Sequence, residues 1–555
     1  MGTETLPLKT LDELLKWTPA SAYGRPSDVK LEGSNAWTDN RNGPRTLLCH
    51  DMRGGYLADR FTDGCNVASD EPYLFYHWSH IHGFIYFSHN FVTIPPTGWI
   101  NAAHRNNVPV FGTLITEWDD GKAIWDRLLS DADLLKEVAL KLVQIADHYG
   151  FDGWLINIEN SIEPEHIEKV LLFLHWLRQC NTLSSAPTNP QTVIWYDSIT
   201  IKGDLKWQNS LNDHNMKFFQ FVDGIFLNYN WKLHDLVTAK KTAGRFRQYD
   251  VFVGVDVFGR GCWGGGGWNT STALEVIHAH DMSVALFAPG WVLECNDSSA
   301  FLANQNTFWD SISSHLSKHK VCRLPVSTNF CVGYGTKEFV NGAGKCVPTE
   351  RDGQICKDHW YDLNRHGLQP SWTNSSGVGD SRTTMRLNHD DGWNGGGCLE
   401  LISDDSASWS LFKTDIDLSY SPLTVEITLK IGTPLPEQEI TCDLRLHLRR
   451  NLCRNVVRLI CGKTKETITW QEVDISRVLP YETVSANADE SDSGWRTLRF
   501  IISNILTGGR VLEEISLHVG KFQKPVSWAT TRILLGGFHM NSIRTSDDNQ
   551  SSVEE

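Results

Sequence analysis

The chain has 555 residues, with 66 Asp and Glu against 51 Lys and Arg and a formal net charge of -15. That length exceeds one ordinary domain, and 41% hydrophobic residues supply at least one large core. The acidity, with no long Lys/Arg run, argues against a nucleic-acid partner or an anionic membrane surface and for a solvated exterior.

The opening run MGTETLPLKTLDELLKW lacks a basic stretch followed by an apolar one, so no secretory signal is expected there. Position six is Leu6, where a myristoylation motif needs Ser or Thr. No apolar run is long enough to span a bilayer, so no membrane partner is expected. The 13 cysteines contain no C-x-x-C pair, and Cys49, Cys442 and Cys461 lie in apolar, strand-like runs. They read as reduced thiols of a cytosolic protein.

The first 320 residues repeat a strand–loop–helix rhythm. Strands are predicted at Arg45–His50, His82–His89, Val108–Thr116, Phe151–Glu159, Thr192–Asp197, Val222–Tyr229, Asp250–Val257 and Ser283–Pro289. Their nearly continuous apolar character fits parallel strands covered on both sides. Apolar residues at helical spacing predict helices over Asp133–His148, Glu165–Arg178 and Asn306–His319. Eight strands alternating with helices predict an α/β fold, a (β/α)8 TIM barrel over residues 1–320. An open doubly wound sheet is the alternative; no Gly-x-Gly-x-x-Gly turn follows the first strand to mark a nucleotide site. Gly264-Gly265-Gly266-Gly267 lacks the Lys-Ser/Thr ending of a phosphate cradle and reads as a flexible loop between Trp263 and Trp268.

Residues 321–373 mix Cys, Gly, Pro and charge without periodicity and read as an irregular connector packed on the barrel. Cys322, Cys331, Cys346, Cys356 and His359 match no common zinc spacing, so no metal is assigned. Residues 374–544 carry short alternating runs: Leu423–Leu429, Asp443–Leu448, Val456–Cys461, Thr467–Val473, Arg496–Ile502, Ile515–Val519 and Ile533–Phe538. They predict an accessory all-β sandwich. The polar tail, residues 545–555, reads as disordered.

Tryptophan is abundant, at 22 residues. Most will pack in cores, but Trp118, Trp231, Trp263, Trp268 and Trp291 follow strand ends among glycines. Flat aromatics at loop mouths suit the C–H face of a pyranose. Barrel enzymes carry their reacting groups at C-terminal strand ends. Those ends here offer His89 and Asn90, Glu117 and Trp118, Asn157 and Glu159, Tyr196 and Asp197, Asn228 and Tyr229, Asp256, then Trp291 and Glu294. No Ser-His-Asp context and no His pair at metal spacing is present, so the set reads as a sugar cleft. His82 and His89 read as hydrogen-bonded structural groups rather than bases.

Residues two apart on a strand share a face, so Asn157 and Glu159 point the same way, above Leu155. Two mechanisms fit a glycosidic cleft. In one, a second carboxylate (Glu117, Asp197 or Asp256) partners Glu159. In the other, a 2-acetamido sugar supplies its own nucleophile. Asn157 then holds the acetamide N–H, Tyr196 holds the acetamide oxygen, and Glu159 donates the proton.

Asp152-Gly153-Trp154-Leu155-Ile156-Asn157-Ile158-Glu159, His82-Gly83-Phe84-Ile85-Tyr86-Phe87-Ser88-His89 and Phe111-Gly112-Thr113-Leu114-Ile115-Thr116-Glu117-Trp118 resemble the cytosolic endo-β-N-acetylglucosaminidases of glycoside hydrolase family 85. The likeness covers the barrel and extends to the sandwich. The Asp-Gly…Glu frame is also similar to family-18 chitinases, which carry Asp where this chain has Asn157; that departure favours family 85. The resemblance implies cleavage of the β-1,4 bond between the two GlcNAc units of the N-glycan core, with retention and transfer to acceptors other than water. Its substrates would be N-glycans on glycoproteins, glycopeptides or free oligosaccharides. It assigns Glu159 as general acid/base, Asn157 and Tyr196 to the acetamide, and Trp231 and Trp263 to sugar stacking. Trp118, Glu117, Trp291 and His89 complete the expected substrate-binding set. It implies no metal or organic cofactor. A catalytically silent, lectin-like glycan binder and a chitinase-like hydrolase are the alternative readings.

Overall fold

The computed structural model describes residues 4–31, 35–67, 72–183, 191–345, 349–351, 354–356, 359–372, 383–418, 422–432, 440–461, 478–484, 494–502, 508–521 and 530–543. Eight short strands, β1 (Thr46–His50), β2 (Gly83–Tyr86), β3 (Val110–Glu117), β4 (Gly153–Glu159), β5 (Thr192–Tyr196), β6 (Gly224–Leu227), β7 (Val251–Asp256) and β8 (Ser283–Phe287), pair in chain order. Every pairing is parallel, and β1 joins both β2 and β8, so the sheet closes. The predicted (β/α)8 barrel is present and the open sheet is not.

Closure gives each strand an inner and an outer face. On β4, Trp154, Ile156 and Ile158 join the apolar layer under the helices. Leu155 joins a separate interior cluster with Leu47, Phe111, Ile194 and Phe252. Trp37, on the short helix Ala36–Asp39, belongs to that interior cluster. Its ring stacks on Phe252 at 5.3 Å and meets Phe111 edge-on at 5.6 Å. The buried Arg45 guanidinium lies 4.1 Å over the same indole and pairs with Asp250. Burial pulls its pKa down to about 10, with Asp250 opposing, so it stays charged at neutral pH.

Helix Ala132–Tyr149 covers the predicted Asp133–His148. Asp131 caps it by accepting from Asp133 N and Leu134 N, and Gly150 ends it at φ 82°. Ile167–Leu183 matches the second predicted helix. The third runs Phe301–Ile312 rather than Asn306–His319. An Asp297-capped turn starts it earlier, and a 3-10 turn at Ser313–His315 ends it before His319. No described helix is long and apolar enough to cross a membrane.

The C-terminal region holds two antiparallel sheets. One runs in the order Thr383–Asn388, Cys398–Ser403, Thr531–Ser542, Leu423–Gly432, Arg496–Ile502, Val478–Val484. The other runs Ala407–Leu418, Arg510–Lys521, Ile440–Arg450, Cys453–Ile460. They face each other, with Phe412 of one 5.8 Å from Phe538 of the other. The predicted sandwich strands are thus found, except Thr467–Val473, which lies outside the described residues, as does the tail 545–555. Thr383–Asn388, Cys398–Ser403, Ala407–Leu418 and Val478–Val484 are further strands that the alternation did not reveal.

The described residues of 321–373 form short strands, which corrects the expectation of an irregular connector. Val326–Thr328 adds to strand Thr531–Ser542 of the sandwich. His359–His366 pairs with both Val332–Gly335 and Cys65–Val67. These strands are mostly three to eight residues long and broken by Gly and charge, too short for a period to register. Cys49, Cys262, Cys295, Cys322, Cys331, Cys398, Cys442, Cys453 and Cys461 are free thiols.

The barrel base is rich in buried histidines. Burial holds His50 and His77 down to about 3 and His366 to about 4, and it also lowers His80, His82 and His319. Their unfolded value is 6.5, so the unfolded chain takes up protons first as pH falls. Stability is complete above 6.5 and is lost downward, by about 1 kcal/mol per pH unit for each histidine. Asp197, pushed up by burial to about 6, binds a proton in the folded state and offsets only one of them. The unfolding temperature should therefore drop steeply between about pH 7.5 and pH 5. A pH-independent midpoint in calorimetry would contradict this.

Candidate active site

The site begins with two residues at the base of β4. Gly153 has φ 151°, and a Cβ there would meet Thr192 O at 1.9 Å, so β5 approaches as only glycine allows. Asp152 Oδ2 accepts from Val110 N at 2.8 Å and from His104 Nε2 at 2.7 Å. His104 Nδ1 also donates, to Val29 O at 2.7 Å, so both ring nitrogens donate, as in the imidazolium. Burial opposes that charge, but Asp152 more than compensates and the pKa rises. This clasp sets β4 against β3, so that Ile115 faces Asn157 and Glu117 faces Glu159 across the ladder.

Above the apolar layers a cavity of about 210 Å³ opens at the C-terminal mouth, with Leu155, Asn157 and Glu159 all in its wall. The expected shared face is observed. Asn157 Nδ2 donates to Glu159 Oε1 at 3.1 Å. With the amide nitrogen turned to the Glu159 carboxyl oxygen, Asn157 Oδ1 is left over. That oxygen is buried and has no partner. An orphaned acceptor in a cavity wall is a costly arrangement and marks a place for a ligand N–H. Burial raises the Glu159 pKa first, the Asn157 bond lowers it, Glu117 raises it, and His89 lowers it; the net direction is up.

Tyr196 faces the same cavity. Its hydroxyl donates to Asn228 Oδ1 at 3.0 Å, and Asn228 Nδ2 donates to Asn209 Oδ1 at 2.8 Å. Asn209 sits on the loop that Asp197 ties down by accepting from Asn209 N (2.7 Å), Gln208 N (3.1 Å) and Asn215 Nδ2 (2.9 Å). Burial keeps the Tyr196 hydroxyl protonated. Asp197 is therefore an anchor, fully buried and outside the cavity wall. Asp256 is likewise engaged: it accepts from Arg260 Nε at 2.7 Å and Nη2 at 3.1 Å and aims that guanidinium at the cavity rim. Of the three candidate second carboxylates, only Glu117 lines the cavity, paired with His89 Nδ1 at 3.1 Å. His82 is the structural histidine expected, accepting from Thr46 N at 3.1 Å, whereas His89 faces the site.

The expected aromatics lie around the mouth rather than in the cavity wall. Trp118 is 64% exposed, at φ 51°, as the first residue of helix Trp118–Ser130. Trp231 corrects the expectation of a stacking platform: it is 1% exposed, and its Nε1 donates to Gly254 O. Half-buried Trp263 covers it at 5.6 Å. Trp291 packs edge-on against Trp268 at 5.3 Å. In the glycine run between Trp263 and Trp268, Gly264 to Gly267 all have positive φ, and a Cβ on Gly266 would lie 2.5 Å from Gly259 N. The sequence reading missed Trp207, which packs over the interior cluster and lines the cavity. It stands eleven residues beyond the end of β5, so no strand-end signal marks it. Arg260, four residues beyond β7, was missed for the same reason, whereas Asp51 directly follows β1 and was passed over.

A closed parallel barrel with an acid and an amide at the C-terminal mouth defines a barrel-type glycosidase architecture. Residues 56–338 match glycosyl hydrolase family 85, and the chain belongs to that family. It is 44% identical over 403 residues to the cytosolic endo-beta-N-acetylglucosaminidase of Mus musculus, covering 71% of this chain and 52% of that protein. It is 35% identical over 436 residues to cytosolic endo-beta-N-acetylglucosaminidase 1 of Arabidopsis thaliana, covering 77% of this chain and 62% of that protein. The chain thus spans about half the length of the curated relatives it matches. The crystal structure of the Endo-D glycoside hydrolase domain from Streptococcus pneumoniae R6 shares the fold, with a TM-score of 0.71 and 18% identity over 98% of this chain and 84% of that one.

Replacing the loop anchor, Asp197→Ala, leaves the part-buried N–H groups of Gln208 and Asn209 unpaired and removes one of the two acceptors of Asn215 Nδ2, which keeps Ser210 O. It should cost about 2–4 kcal/mol of stability in chemical denaturation. An unchanged denaturation midpoint would remove Asp197 from the support of the site.

Proposed function

We propose that the chain is a retaining endo-β-N-acetylglucosaminidase that cuts the GlcNAc–GlcNAc bond of the N-glycan core by substrate assistance. The observation that carries this reading is the buried, unpartnered Asn157 Oδ1 beside the Glu159 carboxyl in the barrel cavity. The 2-acetamido N–H of the bound sugar donates to Asn157 Oδ1. The acetamide oxygen turns toward the anomeric carbon, and Tyr196 redirects its hydroxyl from Asn228 to that oxygen. Glu159, whose pKa burial raises, gives its proton to the departing glycosidic oxygen, and the anomeric C–O bond breaks as the acetamide C–O bond forms. The resulting oxazolinium ion, its N–H still held by Asn157 Oδ1, is opened by water, with Glu159 now the base, and two inversions give net retention. A sugar hydroxyl in place of water gives transglycosylation.

The engagement of Asp197 by its loop and of Asp256 by Arg260 removes two of the three candidate partners for a two-carboxylate mechanism, and the third, Glu117, is paired with His89. The names of the mouse and Arabidopsis relatives support the bond cleaved and a cytosolic setting. N-glycans on glycoproteins, glycopeptides or free oligosaccharides are the proposed substrates. Residues 1–320 are proposed as the catalytic unit and 374–544 as its accessory sandwich.

Incubation with a labelled N-glycopeptide should leave a peptide carrying one GlcNAc by mass; an intact or fully deglycosylated peptide would refute the bond assigned. Glu159→Gln should lower kcat by about 10²–10⁴-fold or more with little change in glycan affinity. Near-wild-type turnover would sink the acid/base role. Asn157→Ala should fail on natural glycans yet still process a supplied sugar oxazoline, and normal hydrolysis by that variant would exclude acetamide positioning.

A further inference from the structure

The cavity holds a second carboxyl group that the mechanism above leaves idle. Glu117 and Glu159 are ladder partners on adjacent parallel strands, and both enter the same cavity wall. Against Glu117 lies His89, whose Nδ1 is 3.1 Å from Oε2 and 3.3 Å from Oε1. The two side chains are 60% and 25% exposed, so the pair exchanges protons with solvent. Glu159 sits deeper, against Asn157.

The other groups around Glu159 do not supply a titrating charge of this kind. Asp256 and Arg260, beyond β7, neutralise each other. Tyr196 on β5, Tyr229 beyond β6 and the Cys49 thiol on β1 are held neutral by burial. Asp51, beyond β1, lines the same cavity and interacts electrostatically with His89 and Arg260, so it adds a carboxyl to the coupled set.

We propose that His89 and Glu117 form a positioning pair that regulates the charge beside Glu159 and keeps it a proton donor as the pH rises. This rests on the reading of Glu159 as the acid. At lower pH, His89 is imidazolium, the pair is neutral overall, and Glu159 feels little of Glu117. As pH rises, His89 releases its proton to solvent and the Glu117 carboxylate stands uncountered. A second carboxylate beside it is then disfavoured, so Glu159 holds its proton more tightly. The bond to Glu117 raises the His89 pKa from 6.5, so the changeover lies above that pH. The two titrations are coupled and belong to the set rather than to one residue.

The test uses the full chain as wild type, Glu117→Gln and His89→Gln, each with a Glu159→Gln partner as spectroscopic blank. Infrared difference spectra read the protonated Glu159 carboxyl between about pH 5 and 9 without turnover, and kcat/KM is profiled in parallel. Glu117→Gln should lose the protonated band at lower pH than wild type. Its ratio of kcat/KM at pH 8 to that at pH 6 should fall about tenfold, the change that one unit of midpoint produces. His89→Gln, with Glu117 uncountered at every pH, should keep the band to higher pH and titrate in one step. If the bands of all three proteins vanish at the same pH, the pair is only structural and the proposal falls, whatever happens to activity. If the bands move as stated but not even wild type cleaves a glycopeptide, the charge regulation stands and the acid role of Glu159 fails instead.

Discussion

The site depends on the register between β3 and β4. Because strand side chains alternate with a period of two, a slip of one residue would turn Asn157 and Glu159 out toward the helices and bring Ile156 and Ile158 inward. The Asp152 carboxylate prevents this by holding Val110 N and the His104 imidazole at the base of both strands. The glycine beside it lets β5 come close enough to continue the ladder. The chemistry at the top of β4 is thus fixed by a polar clasp at its bottom, six strand residues away from the acid.

Fold and site were legible to different degrees. The eight barrel strands could be read because each is short, apolar and followed by a polar pair, and the closed topology follows from their count and rhythm. Asn157, Glu159 and Tyr196 could be read because alternation alone assigns their face. The connector could not, since three-residue strands such as Val326–Thr328 show no period and form only against the partners they find. Trp231 misled for a related reason: a strand-end position says nothing about which other ring will cover it, and Trp263 does. Trp207 and Arg260 were invisible because loop geometry brings them in, through the Asp197 and Asp256 anchors. Those two aspartates looked like reagents in the sequence and are scaffolding in the structure.

The polar groups of the cavity are tied down before any ligand arrives. Tyr196 is held by Asn228, Asn228 by Asn209, and Asn209 by a buried carboxyl. Arg260 is fixed by a bidentate pair. Groups so fixed need little reorganisation when charge develops, which is the condition under which electrostatic stabilisation is strongest. The one acceptor left unsatisfied, Asn157 Oδ1, is the exception that the rest of the network leaves open.

The strands of residues 321–373 fasten the two halves of the chain at the level of main-chain hydrogen bonds. Val326–Thr328 extends a central strand of the sandwich, while His366 accepts from Trp78 Nε1 at 2.8 Å deep against the barrel. Scissoring the chain after the last barrel helix would strip a strand from one half and strand a buried indole N–H in the other. The barrel is consequently not a cassette that can be lifted out by itself; anyone trimming this protein for crystallisation or grafting must carry the strap and its sheet along.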